Sequence, residues 1–199
     1  MNVAPGLAGL WPLVIWNLII LLVACSAACM AITLRWPRRM LVYGAGGFLA
    51  AALIASTVPF PHVPTPFAQV LGALTLILAT IGGGPAAQLV LALATRGTER
   101  PGIHGGIVVP ERAVDGVVPD GTREVLRGGT VIGLLERFAT AGALLAGFPE
   151  AIAVIIGLKG VGRFTELDAA EARERFIIGS FVSLIWACAA SGVFVLAVR

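Results

Sequence analysis

Residues 131–164 read VIGLLERFATAGALLAGFPEAIAVIIGLKGVGRF. Ala, Gly, Leu, Ile and Val dominate, yet Glu136, Arg137, Lys159 and Arg163 interrupt them. Two apolar runs meet at Gly147-Phe148-Pro149-Glu150, a connection too short for anything but an antiparallel helix pair. With the turn centred between Phe148 and Pro149, Glu136 lies about 12 residues before it, Lys159 about 10 after and Arg163 about 14 after; at about 1.5 Å per residue, Glu136 falls in height between the two cations.

The helix faces agree with that placement. Gly129, Ile132, Gly133, Glu136, Thr140, Ala143 and Gly147 follow one 3,4-spaced stripe, small residues around a single acid. On the next helix Lys159, Arg163 and Glu166 recur at i, i+4 and i+7. Gly129 and Gly133 form a GxxxG pair, which permits close helix approach. The reading is a Lys–Glu–Arg cluster at the cytoplasmic end of the two helices. Arg137 points about 100° from Glu136 at 3.6 residues per turn, toward another helix, the interface or a partner. Charges at membrane depth are functional candidates unless they only pair and fix register, with long stems snorkelling to the interface. Both readings stand at this point. Glu136, Arg137, Lys159, Arg163 and Glu166 together carry one more positive than negative charge, which suits a lipid phosphate or a partner's carboxylate.

Composition sets the solvent. Of 199 residues, 58% are hydrophobic and 13% charged, against about 25% charged in soluble domains. Mean hydropathy is +0.94. Of the 14 basic residues all but Lys159 are Arg, and such a surplus marks the cytoplasmic side of a membrane protein better than it marks nucleic-acid binding. The Arg bias also points to a GC-rich bacterial genome.

Crossing the hydrocarbon core takes roughly 20 apolar residues. Six segments approach this: Gly9–Leu34, Met40–Val58, Phe67–Thr95, Gly129–Gly147, the short Glu150–Phe164, and Phe176–Val198. The chain divides into helices one to three over 1–95, a polar cytoplasmic loop over 96–128, and helices four to six over 129–199. With both termini outside, every basic residue except Arg199 lies on or toward the cytoplasmic face. Trp11 and Trp16 at one end, and Trp36 and Tyr43 at the other, suit interfacial belts. The expected architecture is therefore an all-α, polytopic transmembrane helix bundle of about six spans, N-out and C-out.

Leu22–Cys25, "LVAC", resembles a lipoprotein cleavage box. Residues 1–24 hold no Lys or Arg, and the apolar run continues to Leu34, so the segment reads as a retained helix. Cys25 and Cys29 share a face at i, i+4, but no His, Asp or Glu lies near them to complete a metal site, and no metal or cofactor is expected. The third segment holds Gly82, Gly83, Gly84 and Pro85; three absent side chains and one absent donor predict a helix break, as a kink or as an end followed by an interfacial helix. Broken helices can mark transport sites. The 96–128 loop balances Arg against acidic residues, and its β-branched runs, "GIVV" and "DGVV", are compatible with a small hairpin. His104 reads as solvated. No GxxxxGK[ST], HExxH, CxxC or GxSxG pattern occurs, which argues against the common nucleotide-binding and hydrolytic chemistries. No internal repeat is evident.

Residues 128–190 resemble an uncharacterised family of bacterial inner-membrane proteins. The pattern G-x-x-I-G-x-L-E-R is carried by Gly129, Ile132, Gly133, Glu136 and Arg137. A following turn is carried by Gly147, Ala151 and Ile152, and K-x-x-x-R-F by Lys159, Arg163 and Phe164. Phe176, Ile178, Gly179 and Ser180 carry the last segment. Where many members have Ala-Ala-Lys-Ser, this chain has Gly157, Leu158, Lys159 and Gly160. The resemblance implies that the charges act as a unit and implies no reaction.

These readings converge on a multi-pass protein of a bacterial plasma membrane. The first function class is a non-enzymatic subunit or scaffold with a membrane-protein partner or a second copy of itself. The alternative is a small oligomeric transporter, or a binder of anionic lipid or anions, using Glu136, Lys159 and Arg163. An intramembrane enzyme ranks third, because Glu136 has no second catalytic group beside it.

Overall fold

A computed structural model describes residues 5–58, 64–94, 107–110, 122–125, 129–163 and 170–199, and side-chain surroundings over 11–58, 64–94, 129–161 and 173–199. Its elements are α1 (Pro5–Arg35), α2 (Arg39–Ser56), α3 (Thr65–Ala94), β1 (Ile107–Pro110), β2 (Thr122–Val125), α4 (Gly129–Leu145), α5 (Ala151–Arg163) and α6 (Ala170–Ala197). The helical class read from the sequence holds. Among the described residues four helices, α1, α2, α3 and α6, are long and apolar enough to cross a membrane. The other two are shorter: the 17 residues of α4 and 13 of α5 reach about 25 Å and 20 Å.

Packing follows the 3,4 spacing. On α2 the buried positions are Val42, Ala45, Leu49, Ala52 and Ser56; on α1 they include Trp16, Ile19, Val23, Ala27 and Met30. Small residues bring α1 and α2 close enough for Ser26 Oγ to donate to the Ala45 carbonyl at 2.8 Å. The most extensive contact joins α3 to α6, and α4 packs on both. Large side chains point into this body and also outward, where Leu18, Leu21, Ile54 and Ile185 are exposed. That inside-out distribution is expected of helices whose solvent is hydrocarbon.

α4 ends as its sequence demands. Gly147 has φ +75°, the left-handed conformation that glycine adopts without a Cβ clash. Phe148 N–H donates to the Ala143 carbonyl at 2.8 Å and Gly147 N–H to that of Leu144 at 3.1 Å. This is a Schellman closure, and Pro149 then prevents α4 from continuing. α5 returns on α4 as expected and packs chiefly against it.

Two readings are narrowed. α3 is one helix of 30 residues with Pro85 inside it, so of a kink or an end at Gly82–Pro85, the end followed by a separate interfacial helix does not hold. The two strands pair antiparallel, Ile107 opposite Val125 and Pro110 opposite Thr122. The second strand is thus "TREV" rather than the Val117–Val118 run.

Candidate functional site

The glycines of α3 make room for two side chains. A Cβ on Gly82 would stand 2.1 Å from Trp186 Nε1, and one on Gly83 would stand 2.4 Å from Arg137 Cδ. Neither separation is sterically possible without movement. Trp186, from α6, lies over Gly82 and donates its indole N–H to the Leu78 carbonyl at 3.1 Å. Arg137, from α4, lies over Gly83. The glycine run is therefore a seat in a continuous helix.

Arg137 is 7% exposed. Its Nε donates to the Thr80 carbonyl at 2.7 Å and its Nη1 to Ser183 Oγ at 2.9 Å. Arg137 is the ninth of the 17 residues of α4, Thr80 the sixteenth of 30 in α3, and Ser183 the fourteenth of 28 in α6. The guanidinium thus sits halfway along three helices at once. Inserting Arg at the centre of a membrane helix costs about 2.5–3.5 kcal/mol on translocon scales. Hydrogen bonds from a charged group contribute about 1.5–3 kcal/mol each, so two of them make the position tolerable. Both acceptors are neutral, however, and no carboxylate oxygen lies within 4 Å of the guanidinium among the described residues. A guanidinium has five N–H donors, and the bonds to Thr80 and Ser183 engage two of them.

Glu136 is engaged elsewhere. Its Oε2 accepts a hydrogen bond and ion pair from Lys159 Nζ on α5. The two side chains are 17% and 23% exposed. The Lys159 ammonium also stands 5.6 Å from the centroid of the Phe176 ring on α6, within cation–π range. Arg137, Glu136 and Lys159 line one pocket of about 160 Å³ between α4, α5 and α6, together with Thr140, Ser180 and apolar side chains. Thr140 is 1% exposed and its hydroxyl has no hydrogen-bond partner.

The structure joins Glu136 to Lys159 as the height and face arguments required, although Glu136 is the eighth residue of α4 and the pair stands about 10 Å from the Gly129 end. Arg137 does diverge from that pair and meets other helices, α3 and α6. Glu166 and the side chain of Arg163 lie outside the described residues. Sequence reasoning missed Thr80, Ser183 and Trp186. Ser180 and Ser183, three apart in an otherwise apolar run, were the available signal for a polar face on α6. Comparison with protein-family models, with curated proteins and with solved structures finds no match for this chain.

Proposed function

We propose that this chain is a multi-pass integral protein of a bacterial plasma membrane that binds an anionic group without transforming it, at the pocket between α4, α5 and α6. The observation that carries this reading is Arg137. It is a buried cation at mid-helix depth whose hydrogen bonds among the described residues run to two neutral acceptors, beside a pocket and an unpartnered Thr140 hydroxyl. Charges at such depth are binding or transport sites by default, and ligand sites between helices near mid-height are the usual arrangement in carriers. The resemblance of residues 128–190 to a bacterial membrane family supports treating these charges as one unit.

The test uses the full chain in a detergent with neutral headgroups, dialysed against radiolabelled phosphate and, separately, radiolabelled benzoate. At least one of the two is retained at about one per chain, and retention falls in Arg137→Met. Retention of neither by the unaltered protein overturns the reading. Orientation is tested independently. In a background without the native cysteines, a cysteine at Thr65 labels from outside and one at Gly116 from the cytoplasm; labelling of Gly116 from outside reverses the assignment.

A second reading, a subunit that packs on a partner, rests on α5. Among the described helices it packs chiefly on α4, and Val154, Leu158 and Val161 are exposed along it. Co-purification of a second polypeptide in fixed ratio from native membrane supports it.

A further inference from the structure

We infer that the pocket takes a small organic monoanion, a carboxylate carried on a compact apolar body, with the carboxylate on Arg137 and Thr140. This rests on the anion-binding reading above and narrows it. Charge is the first argument. Around the pocket stand Glu136, Lys159 and Arg137; Glu136 and Lys159 neutralise each other, which leaves one positive charge. A single carboxylate balances it, whereas a doubly charged phosphate leaves an excess anion in a poorly solvated place.

Donor geometry is the second argument. The bonds to Thr80 and Ser183 use Nε and one N–H of Nη1, and Arg137 lines the pocket. Arg pairs with carboxylates through parallel N–H groups. Thr140, three residues further along α4, belongs to the wall of the same pocket, and its hydroxyl is buried behind that wall and has no partner. A carboxylate offers two oxygens, enough to accept from both.

The walls and volume set the rest of the ligand. Ile155, Ile156, Phe176, Ile177, Phe181 and Leu184 supply hydrocarbon around this polar floor. A pocket of about 160 Å³ is close to the roughly 150 Å³ apolar cavity that accommodates benzene. The body is therefore ring-sized rather than a long acyl chain. Access is lateral: Ile156, Ile177 and Phe181 on the rim are exposed and would face acyl chains in a bilayer, the phase in which a small lipophilic acid accumulates.

The experiment is competition against radiolabelled benzoate on the full chain in neutral detergent. Benzoate binds saturably at one per chain. Acetate, which has the carboxylate without the body, competes about 10-fold or more weakly. Thr140→Val weakens benzoate binding by about 10-fold or more while raising the melting temperature of the ligand-free protein, since a partnerless buried hydroxyl becomes a methyl of the same shape. That pair of opposite effects separates a ligand role from damage to the fold. If phosphate is retained and benzoate is not, this inference falls and the anion-binding reading stands; if neither is retained, both fall. Palmitate displacing benzoate more tightly than hexanoate does overturns the compact body. Unchanged benzoate affinity in Thr140→Val, with Arg137→Lys also unaffected, overturns the site.

Discussion

The helical body of α1, α2, α3 and α6 and the α4–α5 hairpin are built from the same apolar residues but treat polar groups differently. In the body, hydroxyls mostly close on their own helix. Thr33 donates to the Cys29 carbonyl, Ser56 to Leu53, Thr75 to Gly72 and Thr80 to Leu76. Such bonds satisfy the hydroxyl locally and demand nothing of a neighbour. The polar groups of the hairpin reach across helices, from Arg137 to Thr80 and Ser183 and from Lys159 to Glu136. The body is held by shape, whereas the hairpin is held in register by a few charged contacts whose loss cannot be absorbed locally.

The largest effect expected from this contrast is at Glu136. Glu136→Gln leaves Lys159 without its counter-ion in a half-buried place beside the Arg137 charge. Breaking one partner of a buried pair costs about 3–5 kcal/mol, read as a lower melting temperature in detergent. Lys159→Met added to it restores most of the loss, and the cycle measures the coupling. Equal destabilisation by the single and double variants would break the comparison. Next comes Gly82→Ala. Its methyl meets the rigid indole of Trp186 at 2.1 Å, so overpacking costs about 1–3 kcal/mol. A neutral result would mean that Trp186 has another place to go. The smallest effect is at Gly84, where a Cβ meets only Arg137 Nη2, at 3.7 Å. Gly84→Ala should be neutral or stabilise by up to about 1 kcal/mol through helix propensity. Two glycines of one run with opposite outcomes in thermal melts would sharpen the distinction between a seat and a flexible break.

The residues explain what the sequence disclosed. Helices and their buried faces were legible because 3,4 spacing is local. The Glu136–Lys159 pair was legible because the short Gly147–Glu150 turn converts residue count into height. The neighbour over Gly82–Gly84 was not legible because absent side chains look the same whether the backbone bends or a neighbour fills the space. The neighbour, Trp186, is more than a hundred residues away in the chain. Thr80 is invisible for a related reason: it accepts through its backbone carbonyl, and no side-chain pattern records that. The second strand was displaced because β-branched content alone does not fix strand pairing.

The unequal helix lengths have a consequence for the surrounding lipid. Set in a hydrocarbon core of about 30 Å, α1 and α3 can span with tilt, but the described arms of the α4–α5 hairpin, about 25 Å and 20 Å, are shorter than that core. A bilayer meets such a deficit by thinning locally, at fractions of a kcal/mol per ångström. Headgroups and their water are then drawn toward the Glu136–Lys159 pair on the hairpin flank alone. In such a bilayer the deformation would fall on one side of the protein only.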